Sequence, residues 1–112
     1  DRVKDMIVSG GENVYSIEVE NALVTHPAVA QVAVIGIPDE RMGEVGRAFI
    51  VLRPDASASE EELIAWSRAN MANYKVPRHV VVVDELPKND RGKVDKKTLK
   101  EREARGENPR GH

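Results

Sequence analysis

Two apolar, β-rich runs in the middle of the chain limit what it can fold into. Val29–Ile37 carries Val32, Ala33, Val34 and Ile35 in succession. An extended strand with that pattern is apolar on both faces, which implies a buried central position. Val45–Arg53 repeats the pattern with Phe49, Ile50, Val51 and Leu52, and Pro54-Asp55 closes it. The polar connection Pro38–Glu44 allows the two strands to pair antiparallel as a long-looped hairpin.

The flanking segments supply helices and further extended pieces. Val3, Met6, Ile7 and Val8, then Ser9–Asn13 and Val14-Tyr15, read as two short strands around a Gly-Gly turn. Ser16 stands where a helix N-cap belongs, with Glu18 and Glu20 in the first turn, where the helix dipole favours acid. Val19, Ala22 and Leu23 share a helical face, and His26-Pro27 ends that helix because proline pushes its predecessor out of the α region. His26 therefore reads as a helix-end residue rather than a catalyst. Ser59 and Glu62 form a capping box that opens a second helix. That helix places Leu63, Trp66, Ala69 and Asn70 on one side, presents Leu63 and Trp66 to the sheet, and ends near Met71–Asn73. His79–Asp84 is a third strand, and Asp95 caps a terminal helical turn or two through Leu99. The charged run Glu101–His112 is expected to be a disordered tail. The fold class is α+β: a small three-stranded, mainly antiparallel sheet with helices packed on it, plus an N-terminal two-stranded hairpin.

The chain's 112 residues suit one domain. A formal charge of -2 argues against nucleic acid as a partner. With no Cys, disulfides, thiolate catalysis and cysteine-ligated metal are excluded, and no other metal-ligand spacing is visible. No apolar run approaches membrane-span length, and a cytoplasmic location is expected. The opening Asp1-Arg2-Val3, without an initiator Met, is expected to mark a piece of something longer.

The loop Pro87-Lys88-Asn89-Asp90-Arg91-Gly92-Lys93 concentrates the chemical interest. Asn89-Asp90 favours a turn through side-chain to backbone hydrogen bonds, and Gly92 can take a positive φ and throw Lys93 outward. Lys93 is then a compact charge suited to a phosphate or carboxylate, though a solvated turn with an ordinary surface lysine fits the same residues.

Several motifs in order carry a resemblance that weighs against the blander alternative. Asp1-Arg2-Val3-Lys4-Asp5-Met6-Ile7, Ser9-Gly10-Gly11-Glu12-Asn13-Val14 and Ile17–Glu20 resemble the start of the mobile C-terminal domain of AMP-forming acyl-CoA synthetases. Peptide-synthetase adenylation domains and firefly luciferase share that superfamily. Pro38-Asp39-Glu40 before Gly43-Glu44, Tyr74-Lys75-Val76-Pro77, and Pro87-Lys88-Asn89 before Gly92-Lys93 follow in the family's order. The likeness covers residues 1–100, taken as the mobile domain. Asp90-Arg91 departs from the small residues that relatives often have there.

The resemblance implies a carboxylic acid activated by ATP to acyl-AMP, then captured by the thiol of CoA after the C-terminal domain rotates. Lys93 then resembles the adenylation lysine, Lys4 the hinge residue, and Arg2 an arginine near the nucleotide. Gly10 and Gly11 resemble the glycine pair lining the pantetheine tunnel, with Glu12 in the same motif. Lys75 and Arg78 resemble basic residues near the CoA nucleotide. Met42 stands where some relatives carry an aromatic residue against the adenine. The implied partner is an N-terminal adenylation domain of the same chain, which would hold ATP, most of the Mg²⁺ ligands and the acyl pocket for a fatty-acid-like substrate. Two alternatives stay open: the equivalent domain of a carrier-protein-dependent adenylation enzyme, and a non-enzymatic α+β interaction module.

Overall fold

The computed structural model describes residues 5–106. Within them the elements are β1 (Met6–Ser9), β2 (Glu12–Tyr15), α1 (Ser16–Leu23), β3 (Val29–Asp39), β4 (Gly43–Leu52), α2 (Glu60–Asn70), a 3-10 turn (Asn73–Lys75), β5 (His79–Val82) and α3 (Lys96–Ala104). The α+β class holds, with one five-stranded sheet in place of a three-stranded sheet and a separate hairpin. β4 is its centre. It pairs antiparallel with β3 from Val29↔Leu52 to Asp39↔Gly43, and parallel with β5 from Arg47↔His79 to Ile50↔Val82. A parallel pair needs a crossover connection, and α2 supplies it. The β1–β2 hairpin joins the sheet where Ser9 meets Gly43.

β3 and β4 are both longer than the sequence alone implies. Pro38 pairs with Glu44 and Asp39 with Gly43, leaving only Glu40–Met42 as the loop. The Asp39 carboxylate accepts the amides of Arg41 and Met42 at 3.1 and 2.9 Å, and Gly43 turns the chain with φ +83°. This side-chain turn lets a polar segment complete the ladder.

Burial on both faces is borne out, but the central position expected for Val29–Ile37 is not: β3 lies at the sheet's edge and pairs with β4 alone among the described strands, its faces covered by helices instead. Val34, Ala48 and Ile50 face one core with Val19, Leu23 and Leu63 from α1 and α2. Their immediate neighbours Ala33, Ile35 and Phe49 face a second core with Val81, Val83, Leu86 and Leu99, the last from α3. Successive strand residues point to opposite faces, so an unbroken apolar run feeds two cores at once. Amides on the sheet's edge strands are covered by acidic side chains: Glu20 accepts from Val34 N at 2.8 Å and Glu60 from Val82 N at 3.0 Å. Charged groups of this kind discourage pairing by another chain.

Five local expectations are corrected. Ser16 does not cap α1: Tyr15 holds the cap position with no side-chain hydrogen bond, while the buried Ser16 hydroxyl donates to Asp5 O at 3.1 Å. On α2 the capping box is present, but Ser67 is buried beside Leu63, while Ala69 and Asn70 are exposed and Trp66 is half-buried. Trp66 meets His26 edge-on, with ring centroids 5.2 Å apart. The helix ends at Asn70, and β5 ends at Val82, short of Asp84. α3 runs past Leu99 to Ala104, so the run expected to be a disordered tail begins as helix, and residues 107–112 of it lie outside the described residues; Glu103 pairs with Arg47 of β4 at 3.3 Å. A charged helix with little to bury on its own is held there by Leu99 and this ion pair.

Candidate functional site

The Lys93 loop is ordered by its own backbone and one side chain. The Asn89 Oδ1 accepts the amides of Arg91 and Lys93 at 2.9 and 3.1 Å. Asn89 N donates to Lys93 O at 2.8 Å, and Gly92 N, from a residue with φ +78°, donates to Asn89 O at 2.9 Å. A bridge between Lys88 and Val94 and the bond from Asp95 N to Pro87 O close the base. Asp95 caps α3 through the amide of Thr98 at 3.1 Å and takes the Thr98 hydroxyl at 2.8 Å. The hydroxyl bond first, then the backbone bond, holds the Asp95 carboxyl below its usual range. Lys93 itself is exposed, and no described residue engages its ammonium.

Lys93 lines a shallow groove with Lys88, Lys96 and Lys100 over a floor that includes Ile17 and Val32. Its neighbours differ in availability. Lys88 Nζ donates to Gln31 Oε1 at 3.2 Å, and Lys96 is enclosed by acids. The Lys96 ammonium pairs with the Asp5 carboxylate, sits 2.6 Å from Glu20 Oε2, and donates to Ser16 Oγ at 3.2 Å. Burial works against ionisation of Asp5, but hydrogen bonding by Lys96 and Ser16 and the charges of Lys96 and Lys100 prevail, so its carboxyl lies below the ordinary value of 3.8.

A second concavity, of about 410 Å³, lies elsewhere and gathers four of the sequence-selected residues: Gly10, Met42, Lys75 and Arg78. Gly10 and Gly11 form the tight turn of the β1–β2 hairpin with φ +57° and +83°, both positive as a type I′ turn requires. A Cβ on Gly10 would stand 2.6 Å from the Met42 methyl, so Gly10 is where a side chain would intrude. Gly11 is not part of this wall; space around it is open. Lys75 pairs with Glu18 at 3.3 Å and lies over the Tyr74 ring at 5.7 Å, while Arg78 is exposed and its backbone amide binds Gly46 O at 3.0 Å. Arg68, not singled out by sequence, and Tyr74 complete a basic and aromatic rim.

Arg2 and Lys4 lie outside the described residues. Among the described residues no group of three His, Asp or Glu side chains could hold a metal, and no helix is long and apolar enough to cross a membrane. The sequence reading missed the Asp5–Lys96–Glu20 cluster, whose members stand up to 91 positions apart. No local pattern announces such a pairing.

Residues 18–93, which contain the cleft's Met42, Lys75 and Arg78 and end on Lys93, match the family described as the AMP-binding enzyme C-terminal domain. The chain belongs to that family. This C-terminal domain is 55% identical over 101 residues to a methyl-dioxo-octahydro-indenyl propanoyl:CoA ligase of Rhodococcus jostii, covering 90% of the chain and 20% of that protein. It therefore spans about a fifth of the length of the curated relatives it matches. Among solved structures, a Mycobacterium tuberculosis fatty acyl CoA synthetase superposes with a TM-score of 0.86 at 40% identity, over 96% of this chain and 21% of that one. ATP-bound MatB from Rhodopseudomonas palustris gives a TM-score of 0.83 at 36% identity, over 88% and 20%.

Proposed function

We propose that this domain is the rotating cap of an ATP-dependent, AMP-forming acyl-CoA ligase, with a separate face for each half-reaction. The observation that carries the reading is the separation of two features: an unpaired lysine on an ordered loop, and a basic-rimmed cleft built from other elements. In the first half-reaction Lys93 is set between the attacking carboxylate and the α-phosphate of ATP. There it orients two anions that repel each other and offsets charge in the transition state. In water an exposed ammonium does little. Its effect grows when docking on the N-terminal part of the parent excludes solvent.

In the second half-reaction the cap turns about a hinge at Lys4, and the cleft of Gly10 and Met42 admits the pantetheine arm of CoA. Lys75 and Arg78 face the CoA nucleotide, Gly11 supports the turn, and Arg2 lies toward the nucleotide in the first state. The described residues offer no cluster that fits Mg²⁺, so a metal ion accompanying ATP takes its ligands from the rest of the parent. The acid substrate is fatty-acid-like, the location cytoplasmic, and residues 1–100 with the remainder of α3 move as the cap.

The test is half-reaction kinetics of Lys93→Ala in the full-length enzyme. Adenylation, followed by pyrophosphate exchange, is expected to slow ~10²–10³-fold, the scale of losing one preorganised donor. Thioester formation from preformed acyl-AMP should be nearly spared. Equal damage to both steps would remove Lys93 from the role.

A further inference from the structure

Lys96 lines the same groove as Lys93 but has a different fate. Its charge is already matched by Asp5 and Glu20, with Ser16 as a third partner, so it has nothing to offer an incoming anion. What it does is join parts of the chain. Asp5 leads into β1, Ser16 and Glu20 belong to α1, and Lys96 is the first residue of α3, immediately after the closed base of the Lys93 loop. Ser16 reinforces the joint, since its amide and its hydroxyl both donate to Asp5 O at 3.1 Å. The charged side chains are 15–24% exposed, well below the exposure at which ion pairs contribute little. Removing one member leaves the others poorly compensated.

We propose that Lys96 is the positioning residue of the Lys93 loop, coupling it through Asp5 to the strand that leaves the hinge, so that loop and strand turn as one body. The inference rests on the adenylation role of Lys93 and on the hinge at Lys4, which directly precedes Asp5. A loop joined flexibly to the hinge would present its ammonium at scattered positions after each rotation. Misplacement by about 1 Å is enough to cost up to ~10²-fold in rate.

The experiment uses the full-length enzyme with Asp5→Ala, which cuts the arm toward the hinge yet leaves Lys96 its pairing with Glu20. Pyrophosphate exchange is expected to lose ~10-fold in kcat at unchanged KM for ATP, within the range that misplacement produces. Thioester formation from preformed acyl-AMP should hold at the wild-type rate. Lys96→Met should show the same selectivity, and Lys96→Arg, which keeps the charge, should restore exchange. Parallel loss of both half-reactions in Asp5→Ala, tracking lost stability, would reduce the cluster to a structural role and overturn the proposal. So would unchanged exchange. If Lys96→Met does not fold, Asp5→Ala and Lys96→Arg decide the matter. Lys93→Ala run alongside separates the two readings: if it leaves exchange intact, the adenylation role itself falls, and if it slows exchange where Asp5→Ala does not, only the positioning role falls.

Discussion

The amide of Gly10 donates to the carbonyl of Met42 at 2.8 Å, and the Met42 methyl occupies the space into which a side chain on residue 10 would grow. One contact thus fastens the hairpin tip to the β3–β4 loop and forms part of the cleft wall. The intruding atom would meet the far end of a flexible side chain, so backbone conformation and cleft shape can be tested separately.

Gly10→Asn makes that separation. Asn tolerates positive φ, and Asn-Gly is a favoured type I′ sequence, so stability should change by less than ~0.5 kcal/mol in urea denaturation. The new side chain must displace Met42 into the cleft. In the full-length enzyme the KM for CoA should then rise, by about tenfold if the contact is worth ~1.4 kcal/mol, with pyrophosphate exchange unchanged. Unmoved CoA kinetics would exclude the cleft from pantetheine binding.

Asn89 holds the amides of Arg91 and Lys93 through one oxygen. Asn89→Ala leaves Lys93 in place but loosens its loop, so adenylation should fall while the fold stays intact. Asn89→Asp keeps an acceptor at the same position and should recover most of the rate. A pre-steady-state comparison of the two variants checks this. Equal rates for Ala and Asp would show that loop order is irrelevant.

Asp5 makes stability depend on acid. Its folded-state pKa lies below the ordinary 3.8, so its contribution is complete above that value and is lost as pH falls through the depressed pKa. Unfolding free energies of the 112-residue chain, measured from about pH 6 down to about pH 2, should therefore fall less steeply for Asp5→Asn than for wild type in the window below about pH 4. Parallel curves would mean that the carboxylate is not ionised preferentially in the folded state.

Ser59 and Glu62 satisfy each other's backbone amides, at 3.0 Å for Glu62 N to Ser59 Oγ and 2.7 Å for Ser59 N to Glu62 Oε1. Ser59→Ala removes the first bond and should destabilise the domain by ~1 kcal/mol. Because no residue of α2 lines the groove that holds Lys93, adenylation by the folded fraction should not change.

What the residues determined by themselves is local. The Ser59–Glu62 cap, the Asn89 and Gly92 turn and the Asp95 cap each depend on partners a few positions away, and all stand in the structure as their spacing implies. Ordered motifs along the chain also sufficed to place it in its family. The tertiary structure decided whatever needed a distant partner. Ser16, at a cap position by pattern, turned its hydroxyl to Asp5, and α3 outlasted Leu99 once Glu103 found Arg47. β5 settled parallel to β4, and Lys96, one charge among many in the sequence, became the joint of Asp5 and Glu20. The physical reason is the same in each case. A side chain's local options are set by neighbours it always has, whereas an ion pair or a ladder across the whole chain exists only after the cores on both faces of the sheet have brought its two halves together.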